Sequence, residues 1–111
     1  MSLRTQMTLL DVSGITAGAK GGLFDLANLE DMVFELRATE TVSGTSLDVK
    51  LEDSFDGGVT WNDWIVFTQL AITGAEVKAP TRPPGGDVRV DHANVGGTWD
   101  IRVKGSANPQ R

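Results

Sequence analysis

Strict alternation on either side of a glycine turn is the feature that most constrains this chain. Leu47, Val49 and Leu51 alternate with Asp48, Lys50 and Glu52. A period of two places one set on a dry face and the other on a wet face of a β-strand. Asp56-Gly57-Gly58 follows, and glycine takes positive φ without steric cost, so a tight turn is expected there. Trp61, Trp64, Ile65, Val66 and Phe67 then supply a bulky returning strand. Trp61 and Trp64 lie three apart, so they face opposite sides unless a bulge intervenes. One belongs to the core. The other, assigned as Trp64, is a surface that could stack on a sugar or anchor a protein contact.

The pattern recurs along the chain. Met7 to Val12 reads as a first strand or an N-terminal arm over residues 1–12. Ser13 to Gly22 is too rich in glycine for a helix and reads as a loop. No Lys-Ser/Thr follows its glycines, so it is not a phosphate loop. Leu23 to Leu29 fits a short strand or one helical turn equally. Met32, Phe34, Leu36 and Ala38 then alternate with Val33, Glu35, Arg37 and Thr39. Ser43-Gly44 is expected to close a hairpin into Leu47. Ala71 to Lys78 reads as a short strand broken at Gly74.

Ala79 to Gly86 holds Pro80, Pro83 and Pro84 and ends on two glycines. Proline removes ladder donors, so this is an extended surface loop. Pro80, Arg82, Pro83 and Pro84 are its candidate contact residues. Val88 and Val90 point inward in the next strand. Val95-Gly96-Gly97 is expected to turn the chain, and Trp99, Ile101 and Val103 to line the last strand. Gly105 to Arg111 is polar and expected to fray. About seven or eight strands spaced by turn signals predict a single all-β domain over residues 1–111. The architecture is an antiparallel β-sandwich, immunoglobulin-like or jelly-roll-like.

The outward residues, Glu35, Arg37, Asp48, Lys50, Arg89 and Arg102 among them, form a mixed solvated set. Net charge is −5, which argues against nucleic acid, because phosphate neutralisation needs clustered cations. No apolar run approaches the ~20 residues that cross a bilayer. The first residues lack the apolar core of a secretory signal. The chain has no cysteine and one histidine, His92, so neither a thiolate site nor a histidine-rich metal site can form. Without a nucleophile elbow, His92 reads as a structural strand residue. Asp53, Asp56 and Asp63 cluster near the turn but do not have EF-hand spacing. The sequence implies no catalytic residue, cofactor or metal.

Ser54-Phe55-Asp56-Gly57-Gly58-Val59-Thr60-Trp61 resembles the Asp-box of sialidase-type propellers. In that motif the Asp accepts turn amides and the Trp packs beneath. A propeller needs at least four blades, and a chain without tyrosine lacks the sialidase nucleophile. Ser54, Asp56, Gly57, Gly58, Thr60 and Trp61 are therefore turn chemistry.

Three segments together carry a broader resemblance. They are Val42 to Val49, then Ser54 to Trp61 with Val66-Phe67-Thr68-Gln69, and finally Asp87 to Val90 through Gly96-Gly97-Thr98-Trp99. In that order they resemble small all-β structural proteins from the head and head–tail genes of tailed bacteriophages and prophages. The chain lacks that family's Pro-Thr after Ser46. It has Asp87 where an aromatic opens the late strand, and Trp99-Asp100 in place of Pro-Ser-Phe. The resemblance implies a non-enzymatic virion protein, assembled in the bacterial cytoplasm. Its expected post is capsid decoration or head–tail assembly. Its expected partners are other virion proteins, such as the major capsid or head–tail proteins, and further copies of itself as a homo-oligomer. A carbohydrate-binding β-sandwich is the competing expectation.

Overall fold

The computed structural model describes residues 4–109, apart from the side chain of Thr45; the first three residues of the expected arm lie outside that range. All regular structure is antiparallel β: β1 Thr5–Ile15, β2 Ala19–Lys20, β3 Leu29–Ser54, β4 Asn62–Val66, β5 Gly74–Lys78 and β6 Asp87–Pro109. Residues 5–12 belong to β1 and pair with β6.

Two strands dominate. β3 and β6 pair along their whole lengths, from Leu29↔Pro109 to Ser54↔Asp87. Each bends midway, where Gly44 faces Gly96 between register shifts on both sides. A bend shared by paired strands carries both from one layer to the other. The first layer runs β1, β6, β3, β5, using residues 29–42 of β3 and 98–109 of β6. The second runs β2, β6, β3, β4, using residues 46–54 and 87–95. Each layer thus has four strand segments, and their order is that of a jelly roll. This settles the choice between the two expected sandwiches.

Two expected turns are therefore absent. Ser43-Gly44 and Val95-Gly96-Gly97 do not reverse the chain; they are the two sides of one corner. Glycine is required there because the backbones nearly touch. A Cβ on Gly44 would lie 2.5 Å from the carbonyl carbon of Gly96. Gly97, at φ +73°, would place one 2.7 Å from the Val42 carbonyl oxygen.

The expected fraying at the C-terminus is also overturned. Residues 105–109 complete β6, and Gly105 and Ala107 are buried. Gly105 makes room for Phe34, whose ring would lie 2.8 Å from an added Cβ.

The alternating apolar residues meet between the layers as one core. Phe34, Leu36, Leu47, Leu51, Val90 and Trp99 are fully buried there. Phe34 of the first layer meets Trp64 of the second edge to face, with centroids 5.4 Å apart. The rim between β5 and β4 is closed by charged side chains. Glu76 accepts from the Thr68 amide at 2.9 Å and the Thr68 hydroxyl at 2.7 Å. The Lys78 ammonium donates to the Val66 carbonyl at 2.6 Å. Inward-turned charges on an edge strand discourage further pairing. The Thr68 bonds also hold the Glu76 carboxyl below its usual range.

Candidate functional site

The end of the sandwich opposite the corner gathers most of the singled-out residues. The turn 54–61 is built from side chains bonding backbone. Ser54 Oγ donates to Asp56 Oδ1 at 2.8 Å and accepts from the Gly58 amide at 2.8 Å. Asp56 Oδ1 accepts the Thr60 amide at 2.8 Å. Gly57 and Gly58 take φ of 76° and 94°. Bonds from the Thr60 amide, then from the Ser54 and Thr60 hydroxyls, hold the Asp56 carboxyl down to about 2. Trp61 Nε1 donates to the Gly58 carbonyl at 3.0 Å, and the Arg89 guanidinium lies 3.9 Å over its ring. The turn is rigid, yet Phe55 and Val59 project from it into solvent. In Asp56→Ala the Thr60 amide loses its acceptor, and the Gly58 amide, held by Ser54 Oγ, loses the carboxylate that orients that hydroxyl. Their hydrogen exchange should accelerate while β3 and β6 amides stay protected.

Trp64, expected at the surface, is 7% exposed. A bulge between Leu51 and Glu52 shifts the register of β4 and turns the ring into the core. Its Nε1 donates to the Arg82 carbonyl at 3.0 Å. Trp61 is the half-buried tryptophan.

Arg82, a candidate contact residue, is committed to a buried acid. Asp53 has no exposed surface. Both of its oxygens accept from the Arg82 guanidinium, and Oδ2 also accepts the Gly85 amide at 2.9 Å. Burial works to raise the Asp53 pKa, but Arg82 and the Gly85 amide outweigh it and hold it below the usual range. The pair straps the 79–86 loop across the end of the sandwich. Pro83 is exposed, while Pro80, Arg82 and Pro84 are half-buried. Asp53 was legible in sequence as the inward position after Leu47, Val49 and Leu51; its partner was not. Asp53, Asp56 and Asp63 do not converge. Asp63 lies 2.9 Å from the Lys50 ammonium on the outer face of the second layer.

That outer face carries a network. Glu52, itself buried, pairs with Arg89 at 3.0 Å and Lys20 at 3.5 Å. The hydrogen bond to Asp63 raises the Lys50 pKa against the opposing effect of burial. A groove of about 310 Å³ runs beside Lys50, between Asp48, Asp63, Val66 and Asp91.

His92 faces the interior and is 4% exposed; its Nδ1 meets no protein partner among the described residues. Burial lowers its pKa below 6.5, opposed weakly by Asp91. The folded state therefore binds fewer protons than the unfolded chain as pH falls below 6.5. Stability is present above that pH and should fall below it, by up to about 1.4 kcal/mol per pH unit. Urea midpoints at pH 7.5, 6.5 and 5.5 should show this slope, and His92→Leu should flatten it.

No protein-family model and no curated protein matches the sequence. Similarity lies in the fold. It matches the PBSX exported protein XepA with a TM-score of 0.66 at 10% identity, over 96% of this chain and 38% of XepA. It matches the SPBc2 prophage-derived protein YomS at 0.53 and 14% identity, over 96% of this chain and 94% of YomS. It also matches the C-terminal family 22 carbohydrate-binding module of Clostridium thermocellum Xyn10B at 0.52 and 18% identity, over 86% of this chain and 68% of that one. The chain thus spans well under half the length of XepA and nearly all of YomS.

Proposed function

We propose that this chain is a non-enzymatic structural protein of a bacteriophage or prophage particle, acting in capsid decoration or head–tail assembly. It assembles in the bacterial cytoplasm and contacts the major capsid or head–tail proteins, and copies of itself. The observation that carries this reading is the fold match to a prophage-derived protein over almost the full length of both chains. The phage-like turn and strand segments support it. So does the state of the reactive side chains: the one histidine is buried, and Asp53, Asp56 and Asp63 are each committed to other partners. Such proteins work by repetition, where many modest contacts add through avidity. Mass spectrometry and immunogold labelling of purified particles from a lysogen carrying this gene should find the chain at fixed stoichiometry. Recovery only as free protein would overturn the reading.

A second reading, carbohydrate binding, is favoured by the groove beside Lys50, with Trp61 stacked on Arg89 outside it. Carboxylate–lysine networks can bond sugar hydroxyls, and a half-buried indole can stack on a sugar ring. This role cannot fall to Trp64, which is in the core. Affinity electrophoresis through soluble xylan and laminarin tests it. Retardation that Trp61→Ala abolishes would support it, and unretarded wild-type protein would end it.

A further inference from the structure

β3 and β5 are zipped over five residue pairs, from Ala38↔Gly74 to Phe34↔Lys78, and then part. Beyond that point β3 continues back to Leu29 with β6 on one side only. The other wall, residues 79–83, diverges from it. Two features hold the strands apart. Pro80 has no amide hydrogen with which to extend the ladder. Arg82 is drawn to Asp53 of the opposite layer. The result is a wedge of about 520 Å³ lined by Leu29 to Met32 on one side and Ala79 to Pro83 on the other. A second hollow of about 550 Å³ adjoins it at Asp31, Met32 and Ala79.

The rim of the wedge is negative. The Glu30 carboxylate has no hydrogen bond or ion pair among the described residues, and the Asp31 carboxylate accepts only from the Asn108 side-chain amide, at 3.3 Å. Two arginines stand beside this rim and offset only one of its two charges. Arg82 is spent on Asp53, and Arg4 bonds Ser106 and the Asp31 carbonyl oxygen. Asp31 takes φ 52° at a register shift between Glu30 and Val33. A bulge of this kind re-aims side chains at a strand end.

We infer that this wedge receives an extended segment of a partner protein, added beside β3 and carrying a lysine or arginine to Glu30 and Asp31. The open backbone edge supplies main-chain bonds, the half-buried Leu29 and Pro80 surfaces take an apolar side chain, and the carboxylates select a cation. The inference deepens the proposed assembly role by naming the chemistry of the partner segment. It is tested apart from that role, on the isolated protein.

Two blocked pentapeptides serve as probes, one alternating lysine with valine and one alternating glutamate with valine. Each is titrated into the 15N-labelled chain. The lysine peptide should shift the amide signals of Glu30, Met32 and Thr81 in a saturable manner. Glu30→Lys, an exposed change that leaves the core intact, should weaken that binding at least tenfold. Equal binding of the glutamate peptide, or unmoved wedge signals at millimolar lysine peptide, would overturn the inference. Saturable binding by a chain that never enters particles would sustain the wedge and remove the virion role.

Discussion

Alanine at Gly97 is expected to destabilise the protein by about 3 kcal/mol. Two terms add. Holding an L-residue at the observed φ of +73° costs roughly 1–2 kcal/mol. Forcing a methyl to within 2.7 Å of the Val42 carbonyl oxygen and 2.8 Å of Gly44 Cα adds an overpacking cost of roughly 1–3 kcal/mol. Lower entropy in the unfolded chain acts the other way, by roughly 0.5 kcal/mol in the variant's favour, and offsets little. For a chain this size the melting temperature should drop by roughly 10–20 °C. Neighbouring glycines separate the two terms. Gly44 does not have positive φ, but its added Cβ would meet the Gly96–Gly97 backbone at 2.5–2.6 Å, so Gly44→Ala reports sterics alone. Gly96, at φ +69° with nothing nearer than 3.8 Å, reports strain alone. Urea unfolding of the three variants should rank Gly97→Ala as the most damaging. A neutral Gly97→Ala would mean that the two long strands do not pass the corner back to back.

Arg82→Ala is the second large effect. It leaves the Asp53 carboxylate buried beneath the strap with only backbone amides, chiefly that of Gly85, to satisfy it. Breaking a buried pair from one side costs roughly 3–5 kcal/mol. The lower end applies, because the Arg82 side chain is 38% exposed and partly screened by solvent. The double variant Asp53→Leu with Arg82→Leu should recover much of the loss, since no stranded charge remains.

The pH dependence has a definite sign. Asp53 in the wild type sits below its ordinary 3.8, so its contribution is present above that value and is lost as pH falls through the folded pKa. In Arg82→Ala, burial acts without the arginine, and protonating Asp53 relieves the strain. The stability gap between the two proteins should therefore narrow below pH 4. A gap independent of pH would exclude the ion pair as its cause. Trp64, whose indole bonds the Arg82 carbonyl, provides the optical report of strap release.

Alternation identified the inward faces because burial of every second residue leaves its mark directly on a strand's sequence. Phe34, Leu36, Leu51, Val90 and Ile101 are buried as their positions imply. Local turn chemistry was equally legible at Ser54 to Trp61, where every bond closes within a few residues. Three other readings failed because the deciding contact was remote. Ser43-Gly44 and Gly96-Gly97 looked like reversals, since glycine signals backbone freedom and not the direction in which it is used. Gly105 and Ala107 looked like a fraying tail because small residues carry almost no apolar signal, although both are buried and Phe34 and Met7 leave room for nothing larger at Gly105. Arg82 looked available because its acid lies 29 residues away.

The order of residues by itself determined that this chain would form sheets, which side chains those sheets would enclose, and the tight turn at Asp56. Those properties depend on neighbours one or two positions apart. Tertiary structure alone decided that two strands would bend together into a jelly roll, that Trp64 would be enclosed, and that a charged strap would close one end beside a wedge. Each depends on which distant backbone lies opposite, and a period of two carries no information about that.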